Sequence, residues 1–301
     1  MNSRFLIMML LFICACKEIP SEKGEIKIYF CPEDNCEQAI INTINNDSEV
    51  LCAFYDLNLK NLTSSLKKAR AEVLIFKENF EGYGIPINSK GLMHNKFCII
   101  NAEKIITGSF NPTFNGNYLN NNNLLIIKSK NLAKNYLAEI KELRKGMQKK
   151  TSEKNILLND KLVENYFCPE DNCKKEVLKK LRYAKKSVYF MTFSFTDKEI
   201  AKLLVEKNQK INIVGIMERK RTNMKYNVFH YLNNSGVEVM QDNNPGTMHH
   251  KAFIIDEEIV ITGSYNPTKN GNEKNDENIL IIHDSNIAKI YLEEFYKIKN
   301  Y

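Results

Sequence analysis

Met93-His94-Asn95-Lys96 runs on to Ile106-Thr107-Gly108-Ser109-Phe110-Asn111-Pro112-Thr113, and Met248-His249-His250-Lys251 runs on to Ile261-Thr262-Gly263-Ser264-Tyr265-Asn266-Pro267-Thr268. A His, a Lys, a Ser and an Asn therefore occur twice at one spacing. A second box repeats as well: Tyr29-Phe30-Cys31-Pro32-Glu33-Asp34-Asn35-Cys36 returns as Tyr166-Phe167-Cys168-Pro169-Glu170-Asp171-Asn172-Cys173. Two copies make a fused duplication and not a solenoid. The offset is 137 between the boxes (168 − 31) and 155 between the histidines (249 − 94), so the second copy holds 18 extra residues between them. Residues 218–245 are expected to carry the insertion, as a helix and loop beside the site.

At 301 residues the chain is long enough for two compact halves, each with its own core. Outward from the motifs, apolar runs alternate with helical patterns. Residues 26–30, 50–55 and 72–76 read as strands, and 37–44 and 59–69 as helices. The second copy repeats the order through 187–195, 197–207 and 211–217. This alternation predicts an α/β fold with mixed sheets. The halves are placed at 26–144 and 161–301, joined by a lysine-rich, weakly patterned linker at 145–160.

Arg4 followed by the apolar stretch 5–13 reads as a signal peptide over residues 1–15, since it is too short to span ~30 Å of hydrocarbon as a helix. Ile13-Cys14-Ala15-Cys16 resembles a bacterial lipobox, which makes Cys16 the expected lipidated first residue, with 16–25 as a tether. The expected location is extracytoplasmic, anchored to a bacterial membrane. Without residues 1–15 the chain has 42 basic and 36 acidic residues, a formal +6. That excess suits anionic substrates, although a solvated lysine-rich surface gives the same count. In an exported chain, each Cys-x4-Cys pair reads as a local disulfide, Cys31 with Cys36 and Cys168 with Cys173. A zinc site built from all four is the alternative. Cys52 and Cys98 lie in strand patterns and are expected to be buried.

In an extended strand residues two apart share a face, which groups His94 with Lys96 and His249 with Lys251. The Ile-Thr-Gly-Ser run is a second strand, so each motif is a hairpin whose open end presents Ser109 and Asn111, or Ser264 and Asn266. Gly108 and Gly263 leave room for a close backbone approach. Two imidazoles can cleave a phosphodiester: one attacks phosphorus, while the other protonates the leaving oxygen and then activates water. The lysines, with serine and asparagine donors, stabilise charge on the non-bridging oxygens, so no metal or other cofactor is required. A lone strand histidine is usually structural, but here two of five share a duplicated context. His230, His250 and His283 lack that support and read as structural or surface residues.

These motifs resemble the phospholipase D superfamily. Its His-x-Lys-x4-Asp signature is matched by His249, Lys251 and Asp256, and continued by Gly263, Ser264 and Asn266. Phe193-Ser194-Phe195-Thr196, the run from Pro245 to Lys251 and Glu277-Asn278 are similar to short members, a bacterial endonuclease and mitochondrial cardiolipin hydrolase. The resemblance implies two homologous domains packed about an internal pseudo-two-fold, one composite site, and a monomer. It also implies that a carboxylate such as Glu277 orients a catalytic imidazole. The first copy departs from the pattern, with Asn101 in place of the signature aspartate and Asn122 in place of Glu277. One carboxylate then serves two histidines. By resemblance to fused members, His94 is the expected nucleophile and His249 the acid. The expected activity is hydrolysis of phospholipid to phosphatidic acid by a membrane-anchored enzyme. Cleavage of single-stranded nucleic acid is the alternative, and a degenerate phosphate-binding lipoprotein is a third reading. For Arg219-Lys220-Arg221 the sequence favours a solvated helix end, and residues 80–87 are the nearest approach to a lipid-inserting loop.

Overall fold

In the computed structural model, residues 18–45 and 48–300 are described; the signal peptide and the lipidation site at Cys16 lie outside them. The first half contains β1 (Ser21–Glu22), β2 (Glu25–Cys31), α1 (Cys36–Thr43), β3 (Val50–Phe54), α2 (Lys60–Lys68) and β4 (Glu72–Phe76). It continues with β5 (Ile85–Ile87), β6 (Lys96–Ile100), β7 (Lys104–Gly108), α3 (Phe114–Tyr118), β8 (Asn122–Lys128) and α4 (Lys130–Lys145). The second half begins with β9 (Asn155–Leu158), β10 (Lys161–Cys168), α5 (Cys173–Tyr183), β11 (Ser187–Thr192), α6 (Lys198–Asn208) and β12 (Asn212–Met217). After α7 (Arg219–Thr222), α8 (Phe229–Asn234) and β13 (Glu238–Gln241) come β14 (Lys251–Ile255), β15 (Ile259–Gly263), α9 (Lys269–Glu273), β16 (Glu277–His283) and α10 (Ser285–Lys299).

Each half builds one mixed sheet, ordered β2-β8-β7-β6-β3-β4-β5 in the first and β1-β9-β10-β16-β15-β14-β11-β12-β13 in the second. β3-β4-β5 and β11-β12-β13 run parallel; the hairpins β6-β7 and β14-β15 run antiparallel beside them. Central strands such as β3, β4 and β11 are largely apolar because both faces are covered. In β3, Ala53 faces a central core shared by the two halves, while Cys52 and Phe54 face the layer under α1 and α2. The second sheet does the same, with Tyr189 and Met191 turned inward and Val188 and Phe190 turned toward α5 and α6. α4 and α10 pack into the central core through Tyr136, Ile140, Tyr291 and Phe295.

The repeated cysteine box is a strand-to-helix connector. Asp34 and Asp171 accept the backbone N–H of Phe30 and Phe167 at 2.7 and 3.0 Å. Asn35 and Asn172 then cap α1 and α5 in left-handed backbone. Disulfides Cys31–Cys36 and Cys168–Cys173 close the two connectors, which leaves no set of four thiols for zinc. A third disulfide, Cys52–Cys98, bridges directly paired residues of β3 and β6, so these cysteines are buried and also cross-linked.

Three boundaries differ from the sequence reading. The linker is not featureless: β9 lies inside 145–160 and pairs with β10. Within the region read as a tether, β1 pairs with β9, and so joins the sheet of the other half. The insertion is also spread out. Register aligns Leu74 with Ile216 (offset 142) and Ile85 with Met240 (offset 155), so 13 of the 18 extra residues lie between β12 and β13, where α7 and α8 form. The remainder falls earlier in the half.

Candidate active site

The two hairpins meet at the pseudo-two-fold. Met93 bridges Asp276 and Met248 bridges Asn121, with His94 N–H donating to Asp276 O at 2.9 Å and His249 N–H to Asn121 O at 2.8 Å. These equivalent contacts set both imidazoles on the floor of one cleft, of about 1240 Å³, lined from the first half by Tyr55, Leu92, Asn111 and Asn120. Buried asparagines tie the halves together beneath it. Asn123 accepts from Thr262 Oγ1 at 3.0 Å, and Asn278 donates to Thr107 Oγ1 and the Tyr136 hydroxyl, both at 3.0 Å. Gly108 and Gly263 permit this closeness: a Cβ there would lie 2.3 Å from Asn123 O and 2.2 Å from Asn278 O.

Glu277 reaches across the pseudo-two-fold. Its carboxylate lies 2.7 Å from His94 Nδ1, is completely buried, and accepts further bonds from Ser264 Oγ at 2.8 Å and Asn275 Nδ2 at 3.3 Å. The symmetric contact belongs to Asn122, whose Oδ1 lies 2.9 Å from His249 Nδ1. Its amide nitrogen donates to Gly116 O and Asn120 O, which fixes the amide orientation and makes His249 Nδ1 the donor. Each histidine thus carries its Nδ1 proton toward the opposite half and leaves Nε2 for the cleft.

Lys96 and Lys251 are 2% and 3% exposed, and each ammonium donates to the carbonyl of its own histidine, at 2.6 and 2.8 Å. Burial pulls the Lys96 ammonium down to about 7 and Lys251 well below its ordinary value. Burial, then the neighbouring lysines, holds both imidazoles well below 6.5. Burial also pushes Glu277 up to about 7, against the pull of Lys96, Ser264, Asn275 and Lys251. Burial is the largest cause of every one of these shifts; the lysines lower the imidazoles further, while Glu277, joined by Asp56 at Lys96, pulls the lysines back up.

Tyr55 meets the His94 ring edge-on at 5.0 Å, and Phe193 meets His249 at 4.8 Å. The same rings lie under Lys96 and Lys251 at 5.1 and 5.3 Å, so each lysine–histidine pair is steadied by one aromatic. Arg221 covers the other contact of Phe193 at 4.5 Å and lines the cleft with Lys220 and Tyr226. The run is an exposed helix end at Arg219 and Lys220, as the sequence suggested, and Lys220 and Arg221 also line the cleft; Arg219 turns to Asp242. Sequence reasoning missed Tyr55, and the tyrosine's place opposite Phe193 of the Phe-Ser-Phe-Thr run was the available signal. It also left Asn122 without a role.

Two expectations need correction. Asp256 takes no part in the site: it stands at the far end of the β14–β15 hairpin, where its carboxylate accepts the N–H groups of Lys185, Lys186 and Ser187 and holds the start of β11. Asn101 does the corresponding job with Glu49 N–H at 2.8 Å, so its replacement of aspartate leaves the chemistry untouched. Ser109 and Ser264 are fully buried and stand outside the cleft lining. Their hydroxyls accept from Asn123 and Asn278 N–H, and Ser264 spends its proton on Glu277. They position other groups. Asn111 and Asn266 do line the cleft, each with a buried Oδ1 that has no protein partner. His250 is buried between Asn123 and Glu294, and His283 pairs with Glu164. His230 bonds Asn223 in the inserted segment.

A duplicated α/β fold with paired buried histidines and lysines in one composite site defines a phosphodiesterase hydrolase. The family described as cardiolipin synthase, PLD-like domain, matches the chain twice, over residues 22–144 and 177–299. The chain belongs to the phospholipase D superfamily. It is 29% identical over 143 residues to phospholipase D of Rickettsia typhi, covering 47% of this chain and 70% of that protein. With the mitochondrial cardiolipin hydrolase of Homo sapiens it shares 32% identity over 127 residues, 40% of this chain and 49% of the human protein. Phosphatidylserine synthase of Haemophilus influenzae Rd KW20 shares the fold over 89% of this chain and 85% of its own, with a TM-score of 0.68 and 14% identity.

Proposed function

We propose that the chain is a phospholipid phosphodiesterase in which His94 is the nucleophile and His249 the acid and base. The hydrogen bond from His94 to Glu277 carries the assignment of roles. A carboxylate on Nδ1 makes the Nε2 lone pair more nucleophilic and stabilises the charge that forms on attack. A neutral amide on Nδ1 leaves the His249 imidazolium a stronger acid, as a leaving-group donor requires. His94 Nε2 attacks phosphorus, and the bond to the leaving oxygen breaks as His249 Nε2–H protonates that oxygen. The free alcohol departs and a phosphohistidine remains. His249 then takes a proton from water, hydroxide attacks phosphorus, and the P–N bond breaks to release phosphatidic acid and His94. Asn111 and Asn266 bond the phosphoryl oxygens, and Lys96 and Lys251, buried beside the histidines, supply the positive field that a metal ion otherwise provides.

Phospholipid is favoured as substrate by the relatives named phospholipase D and cardiolipin hydrolase. The lipobox favours it too. Five peptide steps separate Cys16 from Ser21, the first residue of β1, so an acyl anchor would hold the fold within ~18 Å of the headgroups. In this reading the protein is extracytoplasmic, and one chain suffices for one site. No described helix is long and apolar enough to cross a membrane. Cleavage of single-stranded nucleic acid is the second reading, favoured by Lys220, Arg221, Phe193 and Tyr226 on one cleft wall.

Cardiolipin vesicles, single-stranded RNA and single-stranded DNA are to be compared in excess chelator, with His94→Ala and His249→Ala as controls. Lipid hydrolysis that persists under chelation and falls by about 10⁴-fold or more in His94→Ala is the expected result. Nucleic-acid cleavage with inert vesicles would give the site to the second reading.

A further inference from the structure

Apolar side chains are exposed beside the cleft, most of them outside its lining. α3 starts three residues after Asn111, and around it Phe114, Tyr118 and Leu119 are 59%, 46% and 47% exposed. Phe114 and Tyr118 form one surface, with ring centroids 5.0 Å apart. The inserted segment exposes Met224 and Tyr226, at 51% and 67%, and Tyr226 lines the cleft. Leu119 is joined to the cleft wall that Lys220 and Tyr226 line. Leu119 O accepts from Asn244 Nδ2 at 3.2 Å, and a Cβ on Gly246 would lie 2.2 Å from that oxygen. Gly246 O in turn accepts from the cleft residue Lys220 at 2.6 Å.

Cations are interleaved with this rim. Lys198, Lys220, Arg221 and Lys269 line the cleft, and the Lys225 ammonium stands 5.4 Å from the Tyr226 ring. Symmetry shows that the apolar character is local. At the offset of 155, α9 places Lys269, Glu273 and Lys274 where the first half has Phe114, Tyr118 and Leu119. Aromatic and aliphatic side chains ringed by lysine and arginine are the composition of an interfacial surface.

We propose that this rim docks on an anionic lipid bilayer, with Phe114, Leu119 and Met224 entering the acyl boundary and the basic residues meeting the headgroups. The inference deepens the phospholipid reading by assigning how the substrate is reached. Charge complementarity calls for an anionic occupant, and the aliphatic side chains choose the bilayer among anionic ones. A nucleic-acid strand would use the aromatic rings but gains little from Leu119 and Met224. A protein partner seated on the rim would close the opening through which substrate must pass. A bilayer covers the rim and at the same time supplies substrate to the cleft.

The test uses chains bearing Cys16→Ser, so that no acyl group contributes, and vesicles of phosphatidylcholine with and without phosphatidylglycerol. The parent should sediment with the anionic vesicles. Phe114→Ser with Leu119→Ser should weaken that binding by about tenfold or more, while hydrolysis of the soluble ester bis(p-nitrophenyl) phosphate is unchanged. Lys225→Glu should weaken binding to anionic vesicles and leave the same soluble activity; this single exposed change decides the matter if the double variant fails to fold. Parent-like sedimentation of the folded variants, or no sedimentation of the parent, overturns the docking face. If the rim binds vesicles but the parent cleaves only nucleic acid, the docking face stands and the phospholipid reading falls.

Discussion

At the scale of single residues, the site differs from a symmetric one at position 122. Asn122 cannot be exchanged for a carboxylate without consequence, because its amide nitrogen donates to Gly116 O and Asn120 O. Those carbonyls hold a neutral group against His249 as firmly as Ser264 and Asn275 hold a charged one against His94. Without a carboxylate partner, His249 is held well below 6.5 by burial and by Lys251 and Lys96. As the acid it must be protonated, so kcat/KM is expected to fall on the alkaline side as His249 loses its proton. Asn122→Asp places a negative charge on Nδ1, favours the imidazolium, and should move that limb upward by about one pH unit. A pH–rate profile on bis(p-nitrophenyl) phosphate checks this, and an unmoved limb would reject His249 as the acid. Glu277→Gln removes the carboxylate behind His94 instead. It should lower kcat on the order of 10²-fold with a smaller effect on KM.

Among the elements, α4 and α10 are equivalent helices with opposite electrostatics. On α10, Lys297 Nζ lies 2.9 Å from Glu33 and 3.3 Å from Glu294. At the equivalent places stand Glu142, Glu170 and Glu139, three carboxylates whose oxygens gather within 4.8 Å. Burial, then neighbouring carboxylates, raises Glu139 well above 4.5 and Glu170 to about 8; Glu142 is raised by burial also. Raised folded values mean that the protonated cluster stabilises the fold below the unfolded value near 4.5. That contribution is lost as pH rises from there through about 8. Glu142→Lys copies the α10 arrangement and should raise stability by ~1–2 kcal/mol at the alkaline end, with a smaller gain at pH ~4. Thermal melts of parent and variant across this range measure it, and a gap that does not widen with pH would argue against the cluster.

The same scale shows what the sequence could disclose. Strands such as Glu72–Phe76 were legible because two covered faces demand an unbroken apolar run, and the hairpins because His-x-Lys and Thr-Gly-Ser recur together. The β1–β9 pairing was not legible, since two short polar-edged segments 136 residues apart (157 − 21) leave no pattern. The Cys52–Cys98 bridge was hidden for a related reason: it depends on register between β3 and β6, which apolar runs do not specify. Nor could position in the chain tell whether Glu277 serves His249, 28 residues away (277 − 249), or His94 across the fold.

For the whole molecule, these crossings make the chain one functional unit. The central core draws on both sheets, each histidine is oriented by the opposite half, and each half's hairpin is bridged to the other. Separated halves would expose that core and lose the partner of Nδ1 in both imidazoles, so activity should require the intact chain as a monomer of about 35 kDa. The composite site also fixes a stoichiometry. In His249→Ala an activated diester such as bis(p-nitrophenyl) phosphate can still be attacked, because p-nitrophenolate leaves without a proton. Hydrolysis then lacks its base, and the phosphoryl group should accumulate. One label per chain, on His94, is the expected result from alkaline-quenched peptide mapping, with His94→Ala unlabelled. Label on His249 in the His94→Ala chain would exchange the two roles. Half a label per chain, with a doubled mass in solution, would show that two chains are needed to make one site.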